Sequence, residues 1–240
     1  MKKLFPYIKG LLLFVLVIFL YSFSSHRNRV KNISDVKVSF TNGDNLFITY
    51  PMVNKLLIQN FGELKSQPKE NIFLNKIENT LFSNEMIENA EVFISVNGEL
   101  GVTITQRTPI ARVHQNDQTY YIDSKGKKMP LSSNYSARVP LVDGLTNGKI
   151  SDNLYKLLLT IKNDELLNKQ IVGIEQTSKR EFMLKTRIGG QQIELGSINE
   201  LDKKIKKLKA FYQKTFNDKT LNKYKKINLV YNNQVVCTKK

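Results

Sequence analysis

The chain has 240 residues, 41% hydrophobic and 24% charged, enough for one or two modest domains with cores of their own. Its 37 Lys and Arg against 21 Asp and Glu give a net charge of +16, which implies attraction to something anionic: a lipid surface, nucleic acid or an acidic polymer. A lone cysteine, Cys237, excludes an internal disulfide or a thiolate metal cluster, and the two histidines, His26 and His114, lie far apart.

The chain opens on an apolar segment. Gly10 to Ser25 carries no charge, Leu4, Phe5, Tyr7 and Ile8 extend its apolar character, and Lys9 can snorkel to headgroups. A helix from Leu4 to Phe23 spans about 30 Å, the thickness of bilayer hydrocarbon. Ser22-Phe23-Ser24 is a poor cleavage site, which favours an uncleaved anchor over a signal peptide or a buried soluble helix. Lys2, Lys3 and Lys9 before the span nearly balance Arg27, Arg29 and Lys31 after it. The long following region translocates largely regardless of charge, so the N-terminus is expected inside. Residues 1–9 form the tail and 10–25 the span in this reading.

Residues 26–107 read as a small domain. Val36, Val38 and Phe40 alternate as a strand that stops at Asn42-Gly43-Asp44. Thr49 stands where a helix cap belongs, with Pro51 in the first turn, where a missing N–H costs nothing. Val53, Leu56 and Leu57 follow at helical spacing, and Gly62 supplies a left-handed stop. The polar stretch Glu63 to Asn71, with Pro68, is a loop; Leu74, Ile77 and Leu81 mark a second helix over Leu74 to Phe82.

A hairpin follows, and its parity fixes its register. Apolar residues alternate at Ala90, Val92 and Ile94, then again at Leu100, Val102 and Ile104. A two-residue Asn97-Gly98 loop would set apolar against polar on each face. A three-residue loop Val96-Asn97-Gly98, with Gly98 left-handed, pairs Ile94 with Leu100, Val92 with Val102 and Ala90 with Ile104, burying one coherent face. The order is β-α-α-β-β.

Proline at 109 interrupts the alternation, because it has no N–H to give a ladder. The stretch Val102 to Val113 therefore reads as the closing strand of one domain passing into the opening strand of the next, with a single bent edge strand as the alternative. Residues 108–240 form that second domain. Strands are expected at Thr119 to Asp123, Val139 to Val142, Ile171 to Gln176, Phe182 to Arg187 and Gln191 to Leu195, with Gly189-Gly190 as a hairpin turn. Ser151 caps a helix with Leu154, Leu157, Leu158 and Ile161 inward. Ser197-Ile-Asn-Glu200 spells a capping box before a long helix with Leu201, Ile205, Leu208 and Tyr212 inward and Lys203, Lys204, Lys206, Lys207 and Lys209 outward. That lysine face reads as a solvated surface, or as adhesion to anionic lipid or wall polymer. Ile227, Leu229 and Tyr231, a turn at Asn232-Asn233 and a strand from Gln234 to Thr238 complete the chain. The expected fold class is α+β: one N-terminal transmembrane helix, a β-α-α-β-β domain, and a mostly antiparallel β domain with two helices.

These segments together resemble the bacterial cell-division family FtsQ (DivIB in some bacteria). Ala90-Glu-Val with Val102-Thr-Ile-Thr-Gln-Arg-Thr-Pro-Ile-Ala111 is similar to the family's junction, usually Glu-Arg-x-Pro-x-Ala, with Gln106 in place of the acid and Arg107, Pro109 and Ala111 matching. Tyr121-Ile-Asp-Ser-Lys-Gly126, Ile193-Glu-Leu-Gly196 and Ile227-Asn-Leu-Val-Tyr231 resemble later family segments; Asn228 and Val230 depart from the usual Ile-Asp-Leu-Arg-Tyr. The resemblance implies a POTRA domain after the span and a cytoplasmic N-terminus, with the bulk of the chain periplasmic at the division septum of the inner membrane. It also implies a β domain that receives FtsB, itself paired with FtsL, as a strand added beside the last strand. On that basis Tyr231, Gln234, Val235, Val236, Cys237 and Thr238 are the expected partner contacts, although Tyr231 and Val235 read equally as core. The POTRA domain is then expected to dock other division proteins.

No phosphate loop, nucleophile–base set or metal spacing is evident, so an enzyme is not expected, nor a cofactor, metal or small-molecule substrate. Nucleic-acid binding fits the charge but lacks an aromatic RNA motif or zinc spacing. A different POTRA-bearing membrane assembly scaffold is the nearest rival, but the chain shows neither a repeat nor lipid-facing strands.

Overall fold

The computed structural model describes residues 5–29, 31–43, 45–115, 117–145 and 150–240; Lys2, Lys3 and Leu4 of the tail and Asp44 of the first turn lie outside them. The chain divides into two compact units, Met1–Gln106 and Arg107–Lys240, and is α+β.

The first unit begins with helix α1 (Phe5–Arg29). Its window Lys9–His26 has a mean hydropathy of 1.6 and is long and apolar enough to cross a membrane. Leu11, Phe14, Ile18 and Phe19 stand exposed around it, so no protein core accounts for its apolar character.

Strand β1 (Asp35–Phe40), helices α2 (Tyr50–Phe61) and α3 (Leu74–Phe82), and strands β2 (Ile87–Ile94) and β3 (Glu99–Gln106) follow. The sheet order is β1-β3-β2, with β1 parallel to β3, a pairing that needs the crossover which α2 and α3 supply. Ile94 pairs with Leu100, Val92 with Val102 and Ala90 with Ile104, the register that the three-residue loop demands. Gly98 sits at φ +92°, and its N–H donates to the Ser95 carbonyl at 3.0 Å. Val53 and Leu57 of α2 and Ile77 and Leu81 of α3 close one core with Phe40, Val92, Leu100, Val102 and Ile104. Thr49 does occupy the N-cap of α2, and its carbonyl accepts the Val53 N–H at 3.0 Å, but its hydroxyl makes no capping bond. The loop before α3 contains one 3-10 turn, Lys69–Asn71.

Gln106 ends β3 as a buried acceptor. Its Oε1 takes the backbone N–H groups of Phe47 and Ile48 at 2.8 and 2.9 Å, fixing the approach to α2.

The second unit is one nine-stranded sheet. Its strands are β4 (Pro109–Gln115), β5 (Gln118–Asp123), β6 (Lys128–Met129), β7 (Leu141–Asp143), β8 (Ile171–Gln176), β9 (Phe182–Thr186), β10 (Gln192–Gly196), β11 (Tyr224–Asn228) and β12 (Val236–Lys239). Helices α4 (Asp152–Asn163) and α5 (Glu165–Gln170) lie between β7 and β8 in the chain, and α6 (Leu201–Asn217) between β10 and β11. The spatial order is β12-β11-β10-β9-β8-β7-β4-β5-β6. Leu154, Leu157, Leu158 and Ile161 of α4 and Leu201, Ile205, Leu208 and Tyr212 of α6 join the strands in a single core. Ser151 caps α4 as its sequence indicates, its hydroxyl accepting the Leu154 N–H at 3.2 Å.

Several sequence expectations need correction here. Among the described residues the unit has three α-helices rather than two. The short α5 was not anticipated; Asp164 caps it by accepting the Leu166 and Leu167 N–H groups at 3.1 Å. The sheet is mostly antiparallel, but β4–β7, β7–β8 and β10–β11 are parallel, the last two because a helical crossover joins each pair. Ser197 to Glu200 forms no capping box: Glu200 itself stands at the N-cap in a left-handed conformation (φ 54°) and caps nothing with its side chain, which instead pairs with Lys203.

Nor are the α6 lysines one solvated face. Lys204 is buried and donates to the Leu195 and Ser197 carbonyls at 3.0 and 2.8 Å, while burial, with Lys207 nearby, holds its ammonium below the usual lysine range. Lys209 pairs with Asp164, and Lys207 donates to the carbonyls of Leu229 and Tyr231. Finally, the last strand starts at Val236, so Gln234 and Val235 precede it.

Two predictions follow from buried polar groups. Gln106→Leu removes the acceptor for two N–H groups, so it should accelerate amide exchange at Phe47 and Ile48. It should also lower the urea midpoint of the first unit by the equivalent of about 1–3 kcal/mol. In the second unit, the Tyr212 hydroxyl is buried without a partner among the described residues, and burial pushes its pKa up from the ordinary 10 to about 12. The folded phenol keeps its proton longer than the unfolded one, so its contribution to stability is complete below pH 10 and is lost as pH rises through about 12. Tyr212→Phe should flatten that alkaline fall and cost nothing at neutral pH, as urea midpoints measured from neutral pH to about 12 would show.

Candidate functional site

Among the described residues, strand β12 closes one end of the nine-stranded sheet and is paired on one side alone. Its partner β11 runs antiparallel, with Asn228 opposite Val236, Ile227 opposite Cys237 and Lys226 opposite Thr238. Beyond the strand, the Lys240 N–H donates to the Lys223 carbonyl at 2.9 Å, so the pairing persists to the last residue. A strand held this way presents a row of backbone donors and acceptors on its far side, a template for one more strand.

The side chains of this segment alternate. Val235 and Cys237 pack partly against the core, and burial pushes the Cys237 thiol pKa up. Val236 (41% exposed) and Thr238 point outward, as does Gln234 before the strand. Tyr231 is 50% exposed. Of the expected contacts, Tyr231, Gln234, Val236 and Thr238 therefore lie on the accessible surface, while Val235 and Cys237 support the strand from beneath.

The segment between β11 and β12 is shaped by Asn228, Glu194, Val230 and Lys207, whose contacts the sequence reading did not anticipate. Asn228 Oδ1 accepts the Val230 N–H at 2.8 Å, and its Nδ2 donates to Glu194 Oε2 at 2.8 Å. Lys226 pairs with the same Glu194 oxygen at 2.7 Å. Val230 lies over Gly196, where φ is +69° and a Cβ would come within 2.9 Å of the valine methyl, so both the backbone and the space demand glycine. Lys207 reaches from α6 to the carbonyls of Leu229 and Tyr231, fixing the backbone that carries the exposed tyrosine. Only its position in the lysine run distinguished Lys207 in the sequence. Lys225, Lys239 and Lys240 are exposed nearby, so the surroundings of the edge are cationic.

The junction residues form a separate structural group. Pro109 is buried as the first residue of β4, opposite Asp123, where a strand tolerates proline. Ala111 is fully buried in the core. Arg107 Nη1 meets Asp123 Oδ2 at 2.7 Å, with the Asp123 side chain wholly buried and that of Arg107 10% exposed. The other Asp123 oxygen accepts the N–H groups of Lys125 and Lys127 at 2.9 and 2.7 Å, tying the turn after β5 to the start of the unit. Ser124 adds a bond from its N–H to the Thr108 carbonyl at 2.8 Å. Nearby, burial alone would raise the Tyr121 hydroxyl pKa. Hydrogen bonds with Ser136, Arg112 and the Ala137 N–H outweigh that and bring it below the ordinary value.

No group of three or more His, Cys, Asp or Glu side chains among the described residues could hold a metal ion.

Comparison with known families agrees with this geometry. Residues 34–105 match the POTRA-like domain, and residues 108–238 match the model described as FtsQ/DivIB, C-terminal related. No curated protein matches the chain. The second match covers more than half of the sequence and contains the whole sheet up to β12. The chain belongs to the FtsQ/DivIB family.

Proposed function

We propose that this protein is a non-enzymatic, single-pass scaffold of the bacterial division machinery that captures FtsB, with its companion FtsL, by strand addition on β12. The family and its two domains make it a division-associated POTRA scaffold. The observation that carries the rest is the one-sided pairing of β12, with Tyr231 and Val236 exposed beside it. Main-chain bonds along such an edge supply affinity, and exposed side chains on alternate positions supply selectivity. The cationic residues around the edge favour a partner segment with acidic side chains.

In this reading α1 is the anchor in the inner membrane, with residues 1–9 in the cytoplasm, 10–25 spanning, and both folded units outside, concentrated at the septum. The POTRA-like domain, 26–107, docks other division proteins, and the domain of 108–240 links them to the FtsB–FtsL pair that controls septal wall synthesis.

The Val236, Thr238 and Lys240 N–H groups face β11, so Cys237→Pro is the change that removes a donor from the free side of β12. It should abolish capture of FtsB–FtsL in a pull-down while the unit stays folded. Tyr231→Ala leaves the backbone intact and should weaken binding by tenfold or more, on the order expected for an aromatic contact at an interface. If both variants bind as wild type does, partner capture at this edge is wrong. Depletion of the protein should yield undivided filaments; normal division without it would remove the divisome assignment.

A further inference from the structure

The passage from α1 into the first folded unit is short and tightly bonded. Helix α1 ends at Arg29, and the carbonyl of Lys31 already accepts the Lys69 N–H at 3.0 Å. Asn32 bridges to Pro68. The Ile33 N–H donates to the Gln67 carbonyl at 2.8 Å, and the Ile33 side chain enters the core. The Ser34 N–H donates to the Gly98 carbonyl at 2.9 Å. Only position 30 separates the helix from the first of these bonds, and one residue reaches at most about 3.6 Å.

The chain is therefore fastened to one end of the unit, formed by the loop at 66–69 and the turn between β2 and β3. Gly98 belongs to that turn because φ is +92° and a Cβ would come within 2.9 Å of the Asn32 carbonyl oxygen. At the tip, Val96 is 85% exposed, and the Lys69 ammonium is held beside it, donating to the Ser95 carbonyl at 3.3 Å. Tyr21, Ser24 and Ser25 of α1 line an open cleft of about 570 Å³ together with Lys69, Ser95 and Val96.

We propose that this end of the unit seats on a bilayer containing anionic phospholipid, with Lys31 and Lys69 at the lipid phosphates and Val96 in the interfacial layer. The inference rests on the reading of α1 as a membrane-spanning helix. Given that reading, the short connection brings the 66–69 loop and the Val96 turn to the surface from which the chain emerges. An ammonium group at an anionic surface attracts lipid phosphate, and an apolar tip partitions into the boundary between headgroups and acyl chains. The lipid thus serves as a second contact for the domain, beside the anchor itself.

The test uses the full chain with Cys237→Ser and one of three single substitutions, Val96→Cys, Glu85→Cys or Leu16→Cys, each labelled with an environment-sensitive fluorophore. Glu85 lies just before β2, whose eight residues place it about 26 Å along the strand from the tip. The protein is reconstituted in phosphatidylcholine–phosphatidylglycerol vesicles carrying a spin label on either the headgroup or the acyl chain. The label at position 96 should be quenched by the headgroup probe severalfold more than that at 85, and the label at 16 by the acyl-chain probe. Reversing charge with Lys31→Glu or Lys69→Glu should reduce surface partitioning of the tip by at least about fivefold per lysine. Quenching at 16 with no difference between 96 and 85 overturns the surface contact while the spanning helix stands. Absence of acyl-chain quenching at 16 overturns the spanning helix and the contact with it. Quenching at 96 that survives both lysine reversals and pure phosphatidylcholine overturns the recognition of anionic lipid.

Discussion

An open β-sheet has to end somewhere, and its last strand carries backbone groups that a neighbouring strand would otherwise bond. Natural proteins cover such an edge, blunt it or reserve it for a partner. In this chain the two ends differ. At one end β6 is only two residues long, and Lys128 lies over the Tyr120 ring with its ammonium 4.6 Å from the ring centre. At the other end β12 pairs with β11 from Val236 to Lys239, with Val236 exposed on it and the exposed Tyr231 before it. The path of the chain creates this asymmetry. Because β10 and β11 are parallel, α6 must cross over between them, and β11 arrives at the margin with only the β12 hairpin arm beyond it.

Much of the edge is held from behind. Lys207, Asn228 and Glu194 satisfy the carbonyls and N–H groups where the chain turns between the last two strands, and Val230 lies against Gly196. The exposed residues therefore stand on a fixed backbone, which would lower the ordering cost of the proposed association. The buried pair of Arg107 and Asp123 does comparable work at the far side of the sheet, where one carboxylate holds a turn closed and also anchors the first residue of the unit.

The legible parts of the fold were those where local pattern and tertiary environment agree. The parity of Ile94 and Leu100 around Gly98 fixed the register of the first sheet, and the Ser151 cap with Leu154, Leu157, Leu158 and Ile161 fixed α4 and its buried face. Ser197 and Glu200 carried a local signal that the chain path overrides: Gly196 at φ +69° and Glu200 at φ 54° turn the backbone so that the box cannot form. Lys204 was misread because its charge outweighed its position. It falls three residues after Leu201 and four before Leu208, on the inward face, where two carbonyls receive it. The parallel pairings β7–β8 and β10–β11 were also within reach, since a helix between two strands is the ordinary sign of a crossover. At the edge, the sequence located the final segment, but it could not separate Val235 and Cys237, which face the core, from Val236 and Thr238, which do not; that depends on the residue at which pairing starts.

The hydrogen bonds that receive the chain at Lys31, Ile33 and Ser34 have a mechanical meaning. With almost no slack between α1 and the first of them, a pull on the folded region reaches the helix through several backbone bonds acting side by side, followed by the β1–β3 ladder. A long flexible leash would absorb displacement by uncoiling. This mounting transmits it, so displacement of the first folded unit is felt as tilt or torque on α1.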